Sequence, residues 1–337
     1  VAEAEMTEKA KKITLDDIAA ETKLSKFSVS RAIAGKSGVS KETRKQVLDA
    51  CERLGYVRKK AQNSGKKYVL FIIPKYDAQD TGFWMKVMLG VENALALIGY
   101  SLHLKVTSDV EDSLVEQEAE EAAGILFAGY KSLSFVEKAA VYDRPMMILT
   151  YPPYNLFPYD TMHFADREGA FCLCERLIRM GHTRIGYYGS LERPSMKKRF
   201  DGVKEAAAQY GVVISNIWDK ENYFESSDLV HELQDLKNNG SLPSLIICST
   251  DTYAQSLIFL LNKMGIEVPE DVSVTGFNND LDDHLPIPLT SVGFNKREYG
   301  RLVVHYLMDR IENPGLAVRR ISIVPQLVLG ATTKAVD

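Results

Sequence analysis

The chain has 337 residues and a formal net charge of −4, and no apolar run approaches the roughly eighteen residues of a membrane span. With no signal-peptide apolar segment either, it reads as a non-exported cytoplasmic protein. Its four cysteines, at 51, 172, 174 and 248, and its six histidines lack metal-ligand spacing, so reduced thiols and no metal or cofactor are expected.

The charge is unevenly placed. Residues 1–67 hold 16 of the 41 Lys/Arg and 9 of the 45 Asp/Glu, a net of +7, which leaves −11 on residues 68–337. A small basic segment suits a polyanion that the acidic remainder would repel. The competing reading of the charge is a solvated helical bundle with Lys on its surface.

In chain order, 1–12 is polar and charged and reads as a disordered tail. Residues 13–57 carry three helix signatures. Thr14 and Asp17 have capping-box spacing, and Leu15, Ile18 and Ala19 make one apolar face. Ser25 caps a second predicted helix over 26–34, with Val29, Ala32 and Ile33 inward. Ser40 caps a third over 41–54, with Val47, Leu48, Cys51 and Leu54 at helical spacing and Gly55 beyond its end. Two short helices joined by a tight turn and closed by a third form a helix-turn-helix, which lays one helix in the DNA major groove. On that helix Arg31 can fork onto guanine O6 and N7, and Lys26 can reach a base edge or a phosphate. Phe27 presses on a thymine methyl or, alternatively, anchors the helix from within. Ser28 and Ser30, with Thr14 and Ser25, are hydroxyls suited to phosphate oxygens. Residues 58–67 read as a basic linker, in which Lys59 and Lys60 can track phosphates.

From residue 68 onward, apolar strands alternate with amphipathic helices. Strands are expected at 68–73, 102–106, 124–128, 145–149, 184–188, 244–248 and 272–277, and helices at 83–98, 169–180, 200–210, 227–238, 253–264 and 296–313. So many βα units over about 270 residues imply an α/β core of two doubly wound subdomains around a cleft. Ligands bind outside the carboxyl ends of such strands. Phe83 and Trp84 follow the first strand and either stack on a ligand ring or pack the next helix. Thr150 and Tyr151 end one strand, Thr250 and Asp251 another, and Asn278 follows a third. Asp251 is expected to cap the helix after it. Arg199 is expected to open the helix after 190–198 and to offer a planar fork to paired hydroxyls or a carboxylate. No phosphate-cradling glycine loop, nucleophile elbow or catalytic triad is present, so catalysis is not expected.

Thr14-Leu15-Asp16-Asp17-Ile18-Ala19, Ser28-Val29-Ser30-Arg31, Gly38-Val39-Ser40-Lys41-Glu42-Thr43-Arg44 and Leu54-Gly55-Tyr56 resemble the headpiece of the LacI/GalR family of bacterial regulators. The similarity continues through Gly181-His182-Thr183-Arg184-Ile185, Arg199-Phe200-Asp201-Gly202, the run 268–277 and Leu289-Thr290-Ser291-Val292. It implies a helix-turn-helix headpiece on a periplasmic-binding-protein-like core whose chain crosses between subdomains about three times. The implied boundaries are about 68–163 with 293–324, and 164–292 with 325–337. It further implies that Lys26, Phe27 and Arg31 read bases and that Arg199 and Thr250 contact an effector, with Thr150 and Tyr151 bordering the cleft. The function implied is a repressor that binds a palindromic operator as a homodimer under a small-molecule, sugar-like effector. An extracellular-type sugar-binding protein and an α/β enzyme are the alternatives.

Three places depart from the family pattern. Thr22-Lys23 stands where the headpiece turn usually has Gly, so a positive φ there would be strained. The linker lacks the Pro-Asn that starts the family's hinge helix, and Gly65 replaces its minor-groove Leu, arguing against strong operator kinking. Asn278 replaces the usual Asp, which keeps one acceptor, adds two donors and removes a charge.

Overall fold

Thr14 starts the first helix in the way its spacing predicts. Its Oγ1 accepts from Asp17 N at 3.3 Å while the Asp17 carboxylate accepts from Thr14 N at 2.8 Å, so two orphan donors are satisfied reciprocally. The structure is a computed structural model, and it describes residues 14–25, 28–29, 32, 40–54, 67–80, 82–107, 114–129, 144–152, 154–219, 227–280 and 287–336. The chain divides between residues 65 and 66 into two compact units.

In the smaller unit, α1 (Leu15–Thr22) ends at Lys23, whose φ of 56° is the positive value that the missing Gly made costly. Ser25 Oγ accepts from Ser28 N at 3.1 Å, and Ser28, Val29 and Ala32 are helical. Ser40 Oγ likewise receives Thr43 N at 3.1 Å at the start of α2 (Lys41–Leu54). Ile18, Val29, Ala32, Val47 and Ala50 form the core. Leu48, expected inward, is instead 48% exposed: the buried stripe runs through Val47, Ala50 and Leu54, and Leu48 falls beside it. Lys26, Phe27, Ser30, Arg31 and Ile33, the tail 1–12 and the linker with Lys59 and Lys60 lie outside the described residues.

In the larger unit, six parallel strands make the first sheet: β1 (Tyr68–Pro74), β2 (Ser101–Thr107), β3 (Gly124–Ala128), β4 (Met146–Leu149), β5 (Asp160–Phe164) and, late in the chain, β11 (Arg320–Ile323). Their order is β11-β5-β4-β3-β1-β2. The continuous apolar run of β1 is explained by burial on both faces. Val69, Phe71 and Ile73 pack on α4 (Trp84–Leu97) and α10 (Lys296–Glu312), whereas Leu70 and Ile72 pack with Ala119 and Ala122. Two further helices belong here, α3 (Lys75–Ala78) and α5 (Leu114–Glu121).

The second sheet has the order β7-β6-β8-β9, from β6 (Arg184–Tyr188), β7 (Val213–Trp218), β8 (Leu245–Cys248) and β9 (Ser273–Thr275). Helices α6 (Asp166–Ile178) and α7 (Pro194–Gln209) cover one face, and α8 (Ser227–Asn238) and α9 (Asp251–Lys263) cover the other. A small antiparallel pair, β10 (Ser291–Gly293) and β12 (Gln326–Val328), sits where the chain passes between the sheets. It passes after β5, after β10 and after β11, and the tail then returns to the second sheet through Val274 N to Thr332 O at 2.9 Å. Among the described residues, no helix is long and apolar enough to cross a membrane.

A candidate effector cleft

The strands of both sheets end at one cavity of about 110 Å³, into which Phe83, Trp84, Thr150, Tyr151, Arg199, Thr250 and Asn278 all project. Parallel strands bring this about: their carboxyl ends share one edge, so loops far apart in sequence meet there.

Phe83 caps the start of α4 and Trp84 is its first residue. Trp84 is 7% exposed, edge-on to Phe71 and Phe83, so core packing accounts for most of its surface. Phe83 is half-buried, edge-on to Phe164 and Phe294, and forms an aromatic wall of the cavity. Tyr151 Oη lies 2.7 Å from the Phe164 carbonyl and 3.1 Å from Asp166 Oδ2, and it accepts from Asp166 N at 3.3 Å. Burial, followed by the Asp166 charge, pushes its phenol upward, so it stays protonated. His163 tilts over the same ring at 4.3 Å between centroids, and burial holds its imidazole below the usual value.

Arg199 does not begin its helix. Pro194 does, pre-set for the first turn, and the basic run Lys197-Lys198 is already helical, which places Arg199 in the second turn. The residue is 6% exposed. Nε donates to Asp166 Oδ1 at 2.7 Å, Nη1 to the Ser249 carbonyl at 2.6 Å and Nη2 to Asn278 Oδ1 at 3.0 Å, while the guanidinium stacks 3.9 Å from the Phe277 ring centre. Three of its five N–H donors therefore hold the protein together, and the other two have no partner among the described residues. Gly202, one turn on, is needed because a Cβ there would sit 2.1 Å from the Arg167 carbonyl, where α7 presses on α6.

The cap of α9 is Thr250, whose Oγ1 receives Tyr253 N at 3.4 Å, and not Asp251. Asp251 is buried one residue further on, where it accepts from Ser291 Oγ and Asp280 N, each at 2.6 Å. Burial pushes its carboxyl upward. Asn278 adopts a φ of 109°, its N–H bonded to Val292 O at 2.7 Å and its carbonyl to the buried Lys296 Nζ. Asn suits this place: Arg199 already faces the Asp166 carboxylate, so Asp here would put two carboxylates on one guanidinium.

Several lining residues escaped the sequence reading. Asp166 positions Arg199 but follows a strand whose pattern was not recognised. Asp77, on α3, receives Arg193 Nη1 at 2.9 Å, and Arg193 also lies 4.2 Å over the Tyr76 ring. Asp77 and Tyr76 belong to the first-sheet side and Arg193 to the second, so this contact bridges the cavity. Asp80 completes that edge.

Residues 14–59 match the model of bacterial regulatory proteins of the lacI family, and residues 174–333 match the periplasmic binding protein-like domain. A relative described as the HTH-type transcriptional repressor PurR of Photobacterium profundum is 27% identical over 95% of this chain and 98% of its own length. The ribose operon repressor of Haemophilus influenzae is 26% identical over 94% and 97%. Among solved structures, a lac repressor dimer bound to operator and the anti-inducer ONPF matches with a TM-score of 0.68 at 18% identity, over 96% of this chain and all of that one. The chain thus joins a lacI-family helix-turn-helix, over residues 14–59, to a periplasmic-binding-protein-like two-sheet core. It is a DNA-binding transcriptional regulator, and the relatives it matches are regulators rather than enzymes.

Proposed function

We propose that the chain represses transcription as a homodimer on a palindromic operator, and that a small polar effector in the cleft sets its affinity for DNA. The observation that carries the effector half is the convergence of seven residues from separate loops on one cavity. Arg199 and Asn278 offer the free donors, Phe83 the apolar wall and Tyr151 a fixed hydroxyl. Lys26, Phe27 and Arg31 read bases in this scheme, with Thr14, Ser25, Ser28, Ser30, Lys59 and Lys60 on the phosphates. A headpiece this small makes few contacts, so two half-sites supply the affinity. The protein then acts in the bacterial cytoplasm, on the nucleoid when DNA-bound, without catalysis. Resemblance to sugar-responsive regulators, including a ribose-bound structure at a TM-score of 0.69 and a cellobiose complex, favours a sugar-like effector.

An effector can shift the DNA-binding equilibrium only if it binds the two cleft states unequally. Operator selection followed by fluorescence anisotropy tests both halves. Affinity for the selected duplex should exceed that for scrambled duplex by at least about a thousandfold. It should fall steeply with salt and change when the effector is added. Equal affinity for both duplexes would remove the regulator's DNA half.

A further inference from the structure

Resting on the reading of this cleft as the effector site, we infer that its ligand is small, carries no negative charge and presents an amine or other cationic N–H group to Asp80. The two arginines of the cavity are already matched. Arg199 faces Asp166 at 2.7 Å and Arg193 faces Asp77 at 2.9 Å. Asp80, a solvent-exposed residue on the lining of the same cavity, receives one bond from Phe83 N at 3.0 Å and has no Lys or Arg nitrogen within 4 Å among the described residues, although the Arg193 charge acts on it from further away. Its neighbour Asp280 is engaged by Lys296 at 2.6 Å. One carboxylate of the lining is thus without an ion pair among the described residues. Partial desolvation and the charges of Asp280 and Asp77 raise its pKa, against the Phe83 N–H bond and the Arg193 charge, which lower it. A ligand ammonium relieves that repulsion through a charge-assisted bond, whereas a phosphate or carboxylate adds to it. Arg199 offsets such an anion poorly, because its charge is balanced by Asp166.

The test is thermal shift on the full chain with two matched sets: glycerol, 3-amino-1,2-propanediol and glycerol 3-phosphate; and glucose, glucosamine and glucose 6-phosphate. In at least one set the amine should act at about tenfold or more lower concentration than its neutral partner, as expected for a hydrogen bond to a charged group. The phosphate should give no shift there. Asp80→Asn, which retains an acceptor for Phe83 N, should bring the amine down to its neutral partner. Arg199→Lys, which keeps a charge opposite Asp166 but loses the fork, should weaken both. A stronger shift from the phosphate, an amine preference that survives Asp80→Asn, or no shift from either amine overturns the inference. An anion that binds and is lost in Arg199→Lys would leave the cleft reading standing and this inference fallen. An amine that binds undiminished in Arg199→Lys would instead remove the cleft reading.

Discussion

Lys23 illustrates how one residue can carry strain that its neighbours tolerate. Its left-handed backbone ends α1 and turns the chain toward Ser25, where a residue with a Cβ costs about 1–2 kcal/mol. Lys23→Gly should therefore stabilise the headpiece by about 1 kcal/mol, and Lys23→Val should destabilise it. Far-UV circular dichroism of thermal unfolding would show it, and equal losses in both variants would mean that the φ is not the cause. His182 makes a second residue-scale case. It is 1% exposed, with Nδ1 3.0 Å from Ser244 Oγ and Nε2 3.0 Å from the Lys334 carbonyl. Burial lowers its pKa below the ordinary 6.5, although the Lys334 carbonyl opposes this. The unfolded chain then binds the proton first, so stability should fall as pH drops below about 6.5 and level off below the folded value. Chemical denaturation from pH 7.5 to 5 should show a shallower slope in His182→Gln than in the wild-type chain.

At the scale of elements, packing and buried charge decide what periodicity cannot. Helices α4 and α10 touch through glycines: a Cβ on Gly300 would meet the Val87 carbonyl at 2.3 Å. Gly300→Ala should cost about 1–3 kcal/mol by overpacking, while Gly315→Ala, with nothing within 4 Å, should change the melting temperature little. Strand β5 was not legible in sequence because Asp160-Thr161-Met162-His163 looks polar. In the fold Asp160 is 2% exposed and accepts from Arg310 Nη2 at 2.8 Å, Arg319 N at 2.8 Å and Arg319 Nη2 at 3.0 Å. Burial acts to raise its pKa, but the arginines prevail and lower it. Removing the carboxylate strips the half-buried Arg310 of its ion pair and leaves Arg319 only Asp309, so Asp160→Ala should cost up to about 3–5 kcal/mol in denaturant titration. A loss below 1 kcal/mol, about the worth of a surface pair, would refute that. Strand β7 was missed for the opposite reason. It lies at a sheet edge, its residues alternate toward solvent and only Trp218 is buried.

For the core as a whole, the Arg193–Asp77 contact couples the two sheets across the cavity. The Asp77 side chain is 6% exposed and that of Arg193 23%, so the pair is shielded enough to matter. In a double-mutant cycle of Arg193→Ala and Asp77→Ala on core stability, the coupling should be about 0.5–3 kcal/mol. Strict additivity would mean that the bridge does not hold the cleft. Most of the two-sheet architecture was readable in advance, since runs such as 68–73 and 124–128 leave little choice but buried parallel strands. The cleft was readable only in outline. All seven expected residues line it, yet Asp77, Asp80, Asp166 and Arg193, which set its charge, were not anticipated.

The sequence by itself determined the helix starts at Thr14, Ser25 and Ser40, the strained turn at Lys23 and the alternation of strands and helices, because each follows from contacts within a few residues. Only the tertiary structure decided what Arg199 binds, which arginines neutralise Asp160 and which carboxylate remains unmatched. Those partners lie 33 to 159 positions apart in the chain. Charges so distant meet only when the sheets bring their edges together, and no local pattern records which of them will.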